Sequence, residues 1–341
     1  MTPTYFLGID IAAETFTATV FTPAQSIHET LPPFANVTDG FDQFHHWLHD
    51  HHISPQDAVI CLEATGVYGE AFCYYFTSQG YRVAVEPPLK VKRAFHPHSR
   101  KTDAVDSKQI AEYAYRFYDQ LSFWLPAPER VEHIRTLLAL RERLVKQLTA
   151  HKNAQRGLER KPLKTSTADK ITDEMITFLQ QKIVEIEQEL KTTISNDSSF
   201  RHFISNLDSI PGVGMLLASY FLTLTNGFTK MILYRPTASY LGICPLEHTS
   251  GTSVRSKPRS RRFGPPEIRK LLHLAARSVC THNAQFRAYF LRKVAEGKPE
   301  RVIFNNVANK LVKIICAVIQ SGQPFSPTFR SFNPALLKNL T

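Results

Sequence analysis

Short, nearly unbroken apolar runs punctuate the first 125 residues, and beyond them apolar positions return at helical spacing. Tyr5-Phe6-Leu7-Gly8-Ile9-Asp10-Ile11-Ala12 reads as a mostly buried strand carrying one acid, and Thr15-Phe16-Thr17-Ala18-Thr19-Val20-Phe21 as its antiparallel neighbour. Over residues 36–49, Gly40, Phe41, Phe44, Trp47 and Leu48 recur near helical spacing, which predicts a helix. Ala58-Val59-Ile60-Cys61-Leu62 is a further short buried strand with Glu63 directly behind it. A tight turn over residues 64–69 then leads into a helix bearing Phe72, Tyr75 and Phe76. Tyr81-Arg82-Val83-Ala84-Val85 is a third buried strand, closed by Glu86-Pro87-Pro88. After a polar approach, Ile110, Ala111, Tyr113 and Ala114 follow Asp103 and Asp106 in a helix-forming pattern.

Pro126 and Pro128 mark a boundary. Beyond it, Ile134, Leu137, Leu138, Leu144, Val145 and Leu148 form an apolar stripe on a basic, elongated helix. After a break at 157–170, Ile176, Leu179, Ile183, Ile186 and Leu190 repeat at spacings of three and four, a short heptad pattern. Such a pair of helices reads as a long hairpin, as an intermolecular coiled coil, or as two packed helices in one globular unit. The charged outer faces and the length favour a protruding, self-associating arm. Farther on, Leu207-Asp208-Ser209-Ile210-Pro211-Gly212-Val213-Gly214 turns into an apolar helix at 215–224. Residues 267–279 and 285–294 predict amphipathic helices, and 306–319 a strongly apolar core helix. The expected fold class is therefore α/β plus all-α: an α/β domain over 1–125, a helical connector over 126–200, a helical domain over 201–325 and a tail at 326–341.

Composition sharpens this picture. A length of 341 residues suits two domains and a connector, and 43% hydrophobic residues with 11% aromatics supply real cores. The 41 Lys and Arg against 30 Asp and Glu leave +11, which points to nucleic acid or an anionic membrane surface rather than an acidic protein. Five cysteines without a Cys-x-x-Cys pair fit a reducing compartment and small core residues. The N-terminus lacks a basic signal-peptide region, and the apolar run at 215–224 is too short to cross a bilayer. A soluble, cytoplasmic protein with no membrane partner is expected.

Charge placement adds candidate chemistry. On a helix Asp103 and Asp106 share one face, and their mutual repulsion would be relieved by a divalent cation. Asp10 and Glu63 stand at strand ends, where sites gather in α/β sheets, so convergence of all four acids is expected. Carboxylates and water suit a hard divalent ion that activates a nucleophile and neutralises phosphate charge. The plainer readings are a helix first turn enriched in acids and an Asp10 that accepts backbone hydrogen bonds. Lys90, Lys92, Arg93, Arg100 and Lys101 beside the acids suggest a polyanionic partner. His45, His46, His49, His51 and His52 lack a ligand spacing, so no metal is expected there.

The Gly212–Gly214 turn either offers backbone N–H groups to a DNA phosphate or forms a plain packing corner. Residues 247–254 read as a small hydroxyl-rich loop running into Arg255, Lys257, Arg259, Arg261 and Arg262, the densest basic run in the chain. Phosphate contacts, or phosphoryl chemistry at a serine, belong in such a place.

Taken together, these pieces resemble a known family. Phe6-Leu7-Gly8-Ile9-Asp10, Leu62-Glu63-Ala64-Thr65-Gly66 with Tyr68, and Lys101-Thr102-Asp103-Ala104-Val105-Asp106-Ser107 are similar to the N-terminal domain of insertion-sequence transposases with a DEDD site. This is the IS "one-ten" family, whose members include RNA-guided bridge recombinases. Ile210-Pro211-Gly212-Val213-Gly214, Tyr240-Leu241-Gly242-Ile243-Cys244-Pro245 and Ser250-Gly251 are similar to its C-terminal domain, so the resemblance spans nearly the whole chain in order.

The resemblance implies a ribonuclease-H-like, RuvC-like first domain in which Asp10, Glu63, Asp103 and Asp106 bind Mg2+. It implies Ser250 as the nucleophile of a covalent phosphoserine intermediate with DNA. It implies dimers that pair into tetramers, with the acids of one subunit meeting the serine of another across the arm. It also implies a structured noncoding RNA that pairs with donor and target DNA. One departure stands out: relatives carry a Lys-x-Gly-Asn-type element where this chain has Arg262-Phe263-Gly264-Pro265-Pro266-Glu267-Ile268-Arg269, so Pro265 replaces the Asn while the glycine and Arg269 remain. That bears on contacts near the serine rather than on the chemistry. Two rival functions are a metal-dependent junction-resolving nuclease, in which Ser250 only touches phosphate, and a non-catalytic nucleic-acid-binding assembly protein. Because exposed apolar stripes on isolated arms are costly, the arms are expected to pair between subunits.

Overall fold

A computed structural model describes residues 3–64, 66–95, 102–228, 233–250, 254–260 and 264–327, with backbone alone at 246–250 and 254–259. The chain divides into two compact units, Met1–Pro126 and Ala127–Thr341.

The first unit is built on a mixed sheet. Strands β1 (Tyr5–Ile11) and β2 (Thr15–Thr22) form an antiparallel hairpin in which Phe6 faces Phe21 and Ile11 faces Phe16. The short strands β3 (Ile27–Thr30) and β4 (Phe34–Ala35) both pair with β2 and were not legible as apolar runs. Helix α1 (Thr38–Asp50) carries the chain to β5 (Ala58–Glu63), which lies parallel to β1. A single 3-10 turn and helix α2 (Glu70–Ser78) then lead to β6 (Arg82–Glu86), parallel to β5. Helices α3 (Pro88–Arg93) and α4 (Asp103–Arg116) follow, and the strand order is β3-β2-β1-β5-β6.

Strand alternation divides the core between the two faces of the sheet. Leu7, Ile9, Ala18, Val20, Ile60, Leu62 and Val83 pack under α1 and α2, whose Phe41, Phe44, Phe72 and Phe76 are buried. Each such ring contributes roughly 2–3 kcal/mol by leaving water. Phe6, Phe21, Val59, Cys61 and Ala84 lie on the other face, under Ile110, Ala111, Tyr113 and Ala114 of α4. Thr102 starts α4 by accepting a hydrogen bond from the Val105 N–H at 3.3 Å, so the helix begins at Asp103.

The second unit opens with the long helices α5 (Glu129–Glu159) and α6 (Ser166–Ser195). At 1.5 Å per residue α5 is about 46 Å long. The pairs Arg141–Glu187, His133–Glu189 and Gln155–Asp173 show the two helices running antiparallel along each other. Helices α7 (Ser198–Asp208), α8 (Met215–Leu224) and α9 (Tyr234–Tyr240) come next. The antiparallel strands β7 (Pro245–Ser250) and β8 (Val254–Ser260) precede α10 (Pro266–His282), α11 (Ala284–Ala295) and α12 (Glu300–Ser321).

Two expectations change here. Ile176, Leu179, Ile183, Ile186 and Leu190 are buried within a single chain, so the apolar stripe needs no second subunit to cover it. Moreover, Val131, Ile134 and Leu138 of α5 and Leu190 and Ile194 of α6 share one core with Leu207, Phe221, Leu272, Leu311 and Ile315. The connector expected at 126–200 is thus rooted in the same core as the domain expected at 201–325. Most of the 326–341 tail lies outside the described residues.

Helix α12, with 22 residues, is long and apolar enough to cross a membrane by composition, a feature hidden in the sequence by its Asn and Lys interruptions. In the structure its Ile303, Val307, Leu311, Val312 and Ile315 are buried in the core of the second unit.

Candidate functional site

All four acids of the first unit belong to one end of one sheet face. Asp10 continues the Phe6–Gly8 side of β1, and Glu63 continues the Val59–Cys61 side of β5, each at or next to the C-terminal residue of its strand. These are parallel neighbours, with Ile9 beside Leu62. Helix α4 covers this same face. Its Tyr115 ring meets Phe6 at 5.3 Å between centroids, while its Ser107 and Ala111 sit on Gly8. The helix therefore runs antiparallel to β1, and its first turn, with Asp103 and Asp106, lies toward the Asp10 end.

Gly8 makes this possible. A Cβ there would stand 2.1 Å from the Ser107 carbonyl oxygen and 2.2 Å from the Ala111 nitrogen, a backbone collision that only glycine avoids. A buried hydrogen bond of 2.8 Å between Thr19 Oγ1 and Ser107 Oγ locks the helix from the side.

Among the described residues, no group of three or more His, Cys, Asp or Glu side chains is already drawn together as a metal shell. The four carboxylates share an end and a face, with hard oxygen donors suited to a divalent ion.

Sequence reasoning overlooked a fifth acid. Glu86 ends β6 directly beside Glu63 and is fully buried. Its Oε1 accepts from the Ser122 N–H at 2.8 Å and its Oε2 from Lys90 Nζ at 2.8 Å. The signal was present, since Glu86 is the third acid at a strand end, but the sequence read it only as a terminator.

Lys90, expected to contact nucleic acid, is exposed but engaged within the first unit. It donates to Glu86 and to the Gln120 carbonyl at 3.3 Å, and lies over the Tyr113 ring. Burial works against its charge, but hydrogen bonds with Glu86 and Tyr113 outweigh that and hold its pKa above the ordinary lysine value. Lys92 and Arg93 are exposed, and Arg100 and Lys101 lie outside the described residues. Below the acids, burial first and then Glu86 and Glu63 push the Cys61 thiol far up, so it stays protonated and inert.

Two histidines of the histidine-rich stretch pack against aromatic rings, while His46, His49 and His52 are exposed. Burial, then His46, lowers the pKa of His45, whose ring packs against Tyr75, Phe76 and Tyr81, while His51 stacks on Trp47 at 3.8 Å.

In the second unit the segment expected as a loop is a β-hairpin. Ser250 is the last residue of β7 and pairs with Val254, and Arg255 pairs with Thr249. The register shifts between Leu246 and His248, opposite the stretch containing Lys257 and Pro258. Proline has no N–H to give the ladder, which makes this a natural place for an irregularity. The loop expectation failed at 247–250 and 254 because Thr, Ser and Val are residues that strands also accept, and residues 251–253 lie outside the described residues. Arg259 pairs with Leu246 on the same strand, while Arg261 and Arg262 lie outside the described residues.

The roots of this hairpin are firmly held. Gly264 has φ of +58°, and a Cβ on it would lie 2.2 Å from the Tyr240 carbonyl oxygen. Arg269 Nη1 donates to the Gly264 carbonyl at 2.8 Å and the Leu241 carbonyl at 3.4 Å. Arg269 is thus a brace rather than an open phosphate contact. Gly212, with φ of +79°, packs against α10, where a Cβ would meet Val279 at 2.6 Å. That is the packing-corner reading. Gly214 differs: it precedes α8 with open space where a Cβ would be.

A basic cluster was missed altogether. Lys310 of α12 sits 3.6 Å from the centre of the Tyr289 ring, with Arg292 and Lys293 of α11 also over it. Burial, then Arg292 and Lys293, pushes the Lys310 pKa down. Only the packing of α11 on α12 assembles this group, so no local pattern announces it.

Comparison with known proteins bears on both units. Residues 7–158 match the DEDD model of the IS110 family, described as a transposase, and residues 204–291 match the model described as "Transposase IS116/IS110/IS902 family". The chain is 26% identical to the pilin gene-inverting protein of Moraxella lacunata, across 95% of this chain and 98% of that protein. It is likewise 26% identical to the transposase for insertion sequence element IS1111A of Coxiella burnetii, across 78% of this chain and 79% of that protein.

Proposed function

For a chain that belongs to the IS110 family of transposases, we propose a recombinase that cuts and rejoins DNA through two separate pieces of chemistry: the acids of the first unit and Ser250 of the second. The observation that carries this is the gathering of Asp10, Glu63 and the first turn of α4 at one end of one sheet face. The α/β sheet with α4 across it is consistent with the ribonuclease-H-like domain of DEDD enzymes.

Asp10, Glu63, Asp103 and Asp106 would hold Mg2+, for which an all-carboxylate oxygen set is suited. When bound, such an ion neutralises phosphate charge and stabilises a leaving oxygen. Ser250 Oγ attacks phosphorus, a new O–P bond forms, and the P–O3′ bond breaks. The serine proton passes to the departing 3′ oxygen, leaving a free 3′ hydroxyl and a 5′-phosphoserine. Because one phosphoester replaces another, the reverse attack by a 3′ hydroxyl rejoins the strand without an external energy source. The Moraxella relative is named for inverting a gene, and inversion requires rejoining. That favours transesterification over a nuclease in which water attacks. It equally disfavours a purely binding protein.

Lys92, Arg93, Arg255, Lys257, Arg259 and the cations around Tyr289 supply backbone-binding charge for DNA and for a structured guide RNA. Ile171, Met175 and Phe178 remain exposed on the arm, and dimers pairing into tetramers would cover such a surface.

Trapping on DNA tests the assignment. Wild type incubated with element-end DNA and Mg2+ should give a denaturant-resistant protein–DNA adduct, and Ser250→Ala and Asp103→Asn should each give none. An adduct that persists in Ser250→Ala would exclude that serine, and strand cuts with free 5′ phosphates would support the water-attack alternative. If acids and serine come from different subunits, mixing the two variants should restore adduct formation.

A further inference from the structure

The second unit contains a cavity of about 750 Å3 between α5, α8, the end of α9 and the start of α10. That volume falls within the roughly 300–1,000 Å3 of small-ligand sites. Its floor includes the buried Leu138 and Ile268, and Tyr220 and Tyr240 bring two aromatic rings to it. Tyr240 is half exposed at the rim. The Tyr220 hydroxyl has no hydrogen-bond partner among the described residues, and burial, with Glu142 and Glu267 adding, pushes its pKa up to about 12. It remains a donor at neutral pH.

Charge around the cavity favours an anion. Glu142 and Glu267 lie in the wall, but Lys146 reaches Glu267 at 3.2 Å and Glu142 at 3.9 Å, and Lys270 reaches Glu142 at 3.6 Å. The two carboxylates are therefore balanced. Arg135 is paired with Glu132, whereas Arg143 is exposed and makes no ion pair among the described residues. An apolar floor, two aromatic rings and an uncommitted guanidinium are what an unstacked nucleotide requires: a face to stack on and a cation for its phosphate.

Position selects which nucleotide. Tyr240 precedes the first root of the β7–β8 hairpin, and Pro265, also in the cavity wall, follows the second. Gly264 presses the two roots together against the Tyr240 carbonyl. Two residues of the cavity wall, Tyr240 and Pro265, thus lie five positions before and after the hairpin strands.

We propose that this cavity receives one unstacked nucleotide of the DNA strand engaged by the hairpin, stacked on Tyr240 and Tyr220 with its phosphate held by Arg143. The inference rests on reading the hairpin as the DNA-cutting element. Pro265, where the family resemblance implies an Asn, then shapes the wall rather than donating a polar contact.

Binding measured without cleavage separates this from the chemistry of Ser250. Fluorescence anisotropy in Ca2+ of a labelled single strand and of the same sequence as duplex should show the full chain losing about tenfold in single-strand affinity with Tyr240→Ala. Duplex affinity should change less than about twofold, because a paired base cannot enter; base–aromatic stacking is worth roughly 1–3 kcal/mol, so a tenfold loss is within its range. Arg143→Glu, at an exposed and unpaired site, should also weaken single strand more than duplex, and it decides the matter if Tyr240→Ala loses its native circular dichroism. Irradiated strands carrying 5-iododeoxyuridine should crosslink to Tyr240 or Tyr220. Equal losses on both DNA forms, no loss on either, or crosslinks mapping only elsewhere would overturn the proposal. A lost adduct with Ser250→Ala would leave these results unchanged, so the two readings fail separately.

Discussion

The acid end of the sheet and the serine hairpin place the proposed chemistry by opposite means. Asp10 and Glu63 extend adjacent parallel strands, and α4 is pressed to the sheet by Gly8 and a buried Thr19–Ser107 hydrogen bond. Ser250 ends one strand of a two-stranded ribbon, a structure that is marginal by itself. The ribbon is held where it leaves the helices, by Gly264 and Arg269. In one place a whole core positions the groups; in the other, two root contacts do.

That contrast can be broken most strongly at Gly8. Gly8→Val inserts a side chain where the α4 backbone lies about 2 Å away, so helix and sheet must separate. The expected loss is about 3 kcal/mol or more, at or beyond the upper range for overpacking. Urea unfolding followed by circular dichroism should show the first unit melting early. A variant that keeps its midpoint within about 0.5 kcal/mol, the scale of an ordinary surface change, would disprove the close approach.

Gly264→Ala probes the other side. The φ of +58° and the Tyr240 carbonyl in the way predict strain of roughly 1–3 kcal/mol at the hairpin roots. Adduct formation should fall by more than tenfold while the first unit unfolds as in wild type. Arg269→Ala, which removes the brace but adds no collision, should reproduce the functional loss more weakly. If both leave adduct yield unchanged, the roots do not position the serine.

The smallest effect is pH dependence. Burial lowers the pKa of His28 and His45 in the first unit and of His273 in the second; in the last case Arg277 and Arg301 add to it. A histidine whose folded pKa lies below its unfolded value of 6.5 binds protons more readily when unfolded. These groups therefore cost nothing above pH 6.5 and reduce stability as pH falls through that value toward their lower folded pKa. Urea midpoints should drop modestly between pH 7.5 and 5.5, and His28→Gln with His45→Gln should flatten the drop in the first unit while leaving that of the second. A midpoint that rises on acidification would contradict the sign.

Much of the first unit was legible because its signals are local. The runs around Tyr5–Ile11 and Ala58–Glu63 are apolar at nearly every position, and Ile110, Ala111, Tyr113 and Ala114 mark the helix that follows Asp103. The short strands β3 and β4 escaped because little of them is buried, so no hydrophobic pattern records their pairing. The Lys90–Glu86 pair escaped for the opposite reason. The basic residues Lys92 and Arg93 drew the reading, while the acid four positions earlier, Glu86, was taken only as the end of a strand.

Sequence alone determined that buried strands would end in acids, that two long amphipathic helices would follow, and that a basic serine segment would lie between apolar helices. Burial patterns and turn residues act over a few positions, so they are written in order along the chain. Tertiary structure alone decided that Glu86 is held by Lys90 and the Ser122 N–H, and that the Ile176, Leu179, Ile183, Ile186 and Leu190 stripe of α6 is buried within one chain. It also decided that Tyr240, Pro265, Tyr220 and Arg143 enclose one cavity. Each of these depends on which distant segments pack together, and a carboxylate or a guanidinium looks the same in sequence whether its partner is a lysine, a metal ion or a phosphate.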